Sequence, residues 1–84
     1  SAPASLTEAE GLDSAHSQLY RSLLEKEQWS RKEATELCGN LNLMLGGALE
    51  VINDWSYAVV DAPVLDDADD YIWVDLEIAK ELEG

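Results

Sequence analysis

Residues 46–60, closed off by Pro63, constrain this fold more than any other part of the sequence. Proline lacks a backbone N–H and disfavours helical geometry in the residue before it, so a helix that starts near Gly46 ends by about Val60. Within it Ala48, Leu49, Ile52, Trp55 and Val59 recur at three- and four-residue steps, the spacing of one buried helix face. At about 100° per residue, Glu50, Asn53, Asp54, Tyr57 and Asp61 gather into a polar ridge on the other side. One helix cannot bury its own apolar stripe, so its neighbours in sequence must supply the covering elements. With 84 residues the chain makes a single domain. A domain of that size buries only about 60–65% of its unfolded surface.

The covering elements are readable. Asp13 or Ser14 caps a helix expected to run to near Gln28, with Ala15, Leu19, Tyr20, Leu23 and Leu24 along one stripe. "SRKE" at 30–33 has capping-box spacing and opens a second helix, which turns Ala34, Leu37, Cys38 and Leu41 inward and weakens at Gly39 and Asn40. Trp29, just ahead of that cap, is placed as a hydrophobic staple. Ser5 and Thr7 each precede a Glu by three residues, which allows one more helical turn before Gly11. "PVL" at 63–65 and "YIWV" at 71–74 read as a β-hairpin around a five-residue acidic loop, "DDADD". Asp75 then caps a last helix that buries Ile78, Ala79 and Leu82. The expected fold is mostly α: a small bundle of four to five helices with a short β-hairpin, winged-helix-like in order. Residues 1–5, "SAPAS", read as a linker or cloning remnant, and 6–84 as one domain taken from a longer protein.

Charge narrows the function classes. The chain carries 18 acidic against 5 basic residues, a net charge of −13. Between Glu33 and Ala79 there is no Lys or Arg at all. Such a surface repels phosphate backbones and anionic lipid, so neither nucleic acid nor membrane is an expected partner. A "SRKEATELCGN" segment followed by a longer helix has helix-turn-helix looks, yet the helix that would read bases presents Glu50, Asp54 and Asp61. No apolar run approaches the length of a membrane span. Cys38 is alone, which fits a reducing, cytoplasmic setting and a buried structural thiol. Cations and basic proteins remain as natural partners.

Catalysis is not expected. One His and one Cys, distant in sequence, give neither a nucleophile–base pair nor a closed zinc site. His16 reads as a surface residue. The acids suit hard cations better, since Ca²⁺ and Mg²⁺ take carboxylate and carbonyl oxygens. An EF-hand frame begun at Asp66 fails, with Ala68 at its third position and Tyr71 where the turn needs Gly. A different Ca²⁺ or Mg²⁺ site could draw on Asp61, Asp66, Asp67, Asp69 and Asp70, with Glu50 and Asp54 from the helix ridge. The competing readings are a solvated acidic turn and a docking face for a basic partner. For docking, the candidates are Asn53 and Tyr57 on the ridge and Tyr71 and Trp73 on the strand. In alternating "YIWV", burial of Ile72 and Val74 would turn Tyr71 and Trp73 outward beside the acids, an aromatic anchor within a charged rim.

The stretch "GGALEVINDWSYAVVDAPVLDDADDYIWVDLEIAKEL" (46–82) resembles the TerB-C domain of bacterial tellurite-resistance and stress-response proteins. The resemblance is carried by Gly47, Leu49, Glu50, Ile52, Asn53 and Asp54 on the helix, then Asp61, Pro63, Val64, Leu65 and the acidic 66–70. Tyr57 departs mildly from the aromatic usual there. The resemblance implies a non-catalytic C-terminal accessory domain of a larger protein that also carries TerB-type domains. It implies acidic residues that bind metal or serve assembly, with Glu50, Asn53, Asp54, Asp61, Asp66 and Asp67 as the matching positions. Divalent-cation binding coupled to assembly is the first expectation. Metal-independent docking of a basic protein, or of another domain of the parent chain, is the second.

Overall fold

The computed structural model describes residues 11–83. Its elements run α1 (Ser14–Leu23), β1 (Gln28–Ser30), α2 (Arg31–Asn40), α3 (Leu45–Val60), β2 (Leu65–Ala68), β3 (Tyr71–Val74) and α4 (Leu76–Glu83). The mostly helical reading holds, with four helices among the described residues. The additional turn expected around Ser5 and Thr7, and the linker reading of residues 1–5, fall outside them.

The caps form as their chemistry requires. Asp13 accepts the His16 amide at 2.8 Å to start α1. At α2 the box closes both ways: Ser30 Oγ accepts the Glu33 amide at 3.0 Å and Glu33 accepts the Ser30 amide at 2.9 Å. Asp75 Oδ1 takes the Glu77 and Ile78 amides at 3.0 and 3.1 Å and starts α4. Asp61 ends α3 in the left-handed conformation, φ 62°, and Pro63 follows. Aspartate tolerates that geometry better than most side chains.

Two expectations fail, and one cause explains both. The first helix stops at Leu23, not near Gln28, because residues 28–30 leave it to become β1. The five-residue loop is a two-residue turn, Asp69–Asp70, because Asp66, Asp67 and Ala68 belong to β2. Both segments are recruited by β3, which sits centrally in an antiparallel sheet of order β1-β3-β2. Trp29 faces Ile72 across one ladder and Leu65 faces Val74 across the other. Three-residue β1 has no alternation of its own to read, and acidic β2 has poor strand propensity; pairing overrides both.

The core lies between the helices and the inner face of this sheet. Leu19, Leu23, Ile52, Val64 and Ile72 are fully buried there. Each side chain of this size contributes about 1.5–3 kcal/mol by leaving water. Trp29 is buried, though in place of a simple staple its indole Nε1 donates to the Leu23 carbonyl at 2.9 Å, tying β1 to the end of α1. Trp55 packs edge-to-face on Tyr20, ring centroids 5.1 Å apart. Cys38 is buried, as expected of a structural thiol, and burial pushes its pKa up. Val59, expected on the buried stripe, is instead exposed, lining an open concavity with Tyr20, Leu24 and Leu82. His16 is half-buried, not at the surface, with Nδ1 2.8 Å from Asp13.

Candidate interaction site on the outer sheet face

Strand alternation divides the acidic hairpin into two sides. Leu65 and Asp67 stand opposite Val74 and Ile72, the inward residues of β3; Asp66 and Ala68 stand opposite Trp73 and Tyr71. Asp67 therefore points beneath the sheet tip, where Arg31 arrives from the start of α2. The guanidinium Nη2 donates to both Asp67 carboxylate oxygens at 2.6 and 2.8 Å. Its Nε donates to the Asp69 carbonyl at 2.6 Å. The Arg31 amide donates to the Asp70 carbonyl at 2.8 Å, and Asp67 Oδ1 also takes the Asp69 amide at 3.1 Å. A run of sequence without bases is thus given one by a residue 36 positions away. Such forked, charge-assisted bonding organises the turn and occupies Asp67.

The outer side is arranged differently. With Ile72 and Val74 buried, Trp73 and Tyr71 are 42% and 45% exposed. Trp73 lies between Gln28 of β1 and Asp66 of β2. Directly opposed residues in a sheet hold their Cβ atoms about 4.5–5.5 Å apart, so the Asp66 carboxylate sits beside the indole. An open groove of about 570 Å³ begins here and runs to the first turn of α4. Trp73 and Leu76, with Pro63, Val64, Leu65 and Val74, supply its apolar lining, Glu27, Asp66, Asp75 and Glu77 bring carboxylates, and Lys80 brings a base. Asp75 is engaged in capping α4, whereas Asp66 has no ion pair or hydrogen bond from its side chain among the described residues.

The remaining sequence candidates are dispersed. Glu50, Asp54 and Tyr57 are exposed on α3, and Asp61 serves as its C-terminal residue. Asp69 takes a left-handed backbone, φ 65°, in the hairpin turn, and Asp70 completes that turn. Asn53, a docking candidate, is instead half-buried and committed to the fold: its Nδ2 donates to the Leu65 carbonyl and its Oδ1 accepts the Leu65 amide, each at 2.9 Å. The carboxamide thereby occupies the edge of β2 as a further strand would. The helix ridge and the hairpin do converge, but at Asn53 and not at the acids. Among the described residues no three His, Cys, Asp or Glu side chains are gathered so as to hold a metal ion.

Residues the sequence reading passed over now matter. Glu27 enters the groove as the residue that leads into β1, and Leu76, Glu77 and Lys80 because α4 begins directly after β3; Asp75 and Glu77 could have been suspected from following Trp73 so closely. Nothing in the sequence pairs Arg31 with Asp67. A second filled cationic site lies on the inner side of β1, where Lys26 Nζ sits 4.3 Å from the Trp29 ring centroid and 3.1 Å from Glu33 Oε2. The Ser30 amide, then the Lys26 ammonium, hold the Glu33 carboxyl below its ordinary range.

Set against known proteins, the family model for the TerB-C domain matches residues 1–83. No curated protein and no solved structure matches the chain. Among the described residues no helix is long and apolar enough to cross a membrane.

Proposed function

We propose, for a chain that belongs to the TerB-C domain family, that this tellurite-resistance-related accessory domain acts without catalysis, as a docking module whose outer sheet face receives a basic segment of a partner protein or of another domain of its parent chain. The observation that carries this reading is Trp73: a large aromatic, 42% exposed, set in a groove beside Asp66 and Glu77, which make no ion pair among the described residues. Interfaces concentrate binding energy in such aromatic anchors, and a charged rim raises the encounter rate for an oppositely charged partner. The net charge of −13 supplies long-range attraction of the same sign. We also read the order α1-β1-α2-α3-β2-β3, with sheet order β1-β3-β2, as winged-helix-like, the wing turned here to protein recognition.

The test is a titration of the ¹⁵N-labelled domain with an oligolysine peptide at low and high salt, alongside a Ca²⁺ titration. Saturable shifts confined to β3, β2 and the start of α4, weakened by salt and by Asp66→Asn with Glu77→Gln, support docking. Saturable Ca²⁺ binding abolished by that double variant would return the face to cation binding.

A further inference from the structure

Resting on the docking reading, we infer that the groove seats one cationic side chain at a time, its aliphatic stem laid on Trp73 and its charged head at Asp66 and Glu77. The domain contains a filled version of this arrangement. Lys26 covers the ring of Trp29 at 4.3 Å and reaches Glu33 at 3.1 Å, so aromatic, cation and carboxylate are satisfied together within one chain. Trp73 stands on the neighbouring strand of the same sheet with its aromatic face and carboxylates in place and the cation missing. None of the described bases makes an ion pair with Asp66 or Glu77: Lys26 is held by Glu33 and Arg31 by Asp67. Among the described residues Lys80 is the one base that lines the groove.

Physical chemistry favours a long basic side chain over a small cation here. A metal ion gains nothing from an indole and a leucine floor, whereas the methylenes of Lys or Arg bury apolar area on Trp73 and Leu76 while the head stays in water. Exposed cation–π contacts contribute modestly, so selectivity resides in the combination of ring and carboxylate. Lysine and arginine share this chemistry; arginine would add planar stacking and forked bonding to Asp66.

The experiment uses short capped peptides bearing three lysines, three arginines or three acetyl-lysines, titrated into the labelled domain while the Trp73 indole resonance and, in every variant, the backbone amides of β2, β3 and α4 are followed. The lysine and arginine peptides should shift that resonance saturably and the acetyl-lysine peptide should not. Trp73→Ala should weaken binding about fivefold, and Trp73→Leu, which keeps apolar bulk, about twofold to threefold. Trp73 is part-covered in the central strand, so Trp73→Ala should lower the thermal midpoint more than Trp73→Leu; affinities are compared below the onset of unfolding of each variant, which separates lost binding from lost fold. Equal shifts with acetyl-lysine, or full affinity in Trp73→Ala, would overturn the seat. Asp66→Asn with Glu77→Gln weakening binding while Trp73→Ala does not would leave general acidic docking standing and remove the Trp73 seat alone. Absence of any saturable shift would remove both.

Discussion

Asp66 and Asp67 are neighbours in one strand and have opposite fates. Asp67 faces inward at the sheet tip and is held by Arg31, which also binds the turn carbonyl of Asp69. Asp66 faces outward beside Trp73 and is left without a partner among the described residues. The same division separates Trp29, covered by Lys26, from Trp73, which is open. A period of two along a strand is enough to sort identical residues into those the fold consumes and those it offers to solvent. An acidic run is therefore not one object, and treating "DDADD" as a unit merges a structural clamp with a surface.

The sharpest way to break this comparison is on the consumed side. Asn53→Ala would leave the Leu65 amide and carbonyl without the carboxamide that satisfies both, at a cost of about 1–3 kcal/mol, read as a lowered urea midpoint at unchanged slope. Next comes Arg31→Gln, which makes Asp67 resemble Asp66. The pair is about half exposed, so the loss should be no more than about 1 kcal/mol and should shrink in high salt. Asp66→Asn, by contrast, should stay within about 0.5 kcal/mol of the parent in stability. If both aspartate sites cost the same, the division fails.

The filled site at Trp29 has a pH signature. Glu33 is held below its ordinary pKa in the folded state, so its stabilisation is present above the unfolded value and lost as pH falls through the folded one. On acid titration through and below the ordinary glutamate range, stability should therefore fall more steeply in the parent than in Glu33→Gln. The smallest effect belongs to Lys80→Gln. Removing the one base that lines the groove should tighten oligolysine binding about twofold without moving the melting temperature.

Much of this was legible in advance. The helix that ends before Pro63, the capping box at Ser30, the hairpin strand "YIWV" and its pairing of Tyr71 with Trp73 on one face follow from local spacing, because caps and alternation are set by residues a few positions apart; that this face is the outer one was decided by the burial of Ile72 and Val74. The TerB-C resemblance rested on the same helix and hairpin. Other features were not legible. β1 is three residues long and exists only because β3 offers it a ladder. Asn53 looked like a ridge residue available to partners until the edge of β2 was brought against it. Val59 fitted the apolar period of α3 but lines an open concavity beside Tyr20, Leu24 and Leu82 and stays exposed.

The sequence by itself determined the helical register, the caps, the sign of the surface and that Tyr71 and Trp73 share one face of β3. All of these depend on contacts within a turn or a pleat. Only the tertiary structure decided which acids would be neutralised, because Arg31 meets Asp67 across 36 residues of chain and local pattern carries no information about such a meeting. It likewise separated the ridge acids from the hairpin acids and gathered a groove from β2, β3, α4 and Glu27 ahead of β1. Long-range pairing fixed which charges the fold itself uses, and by subtraction which remain for a partner.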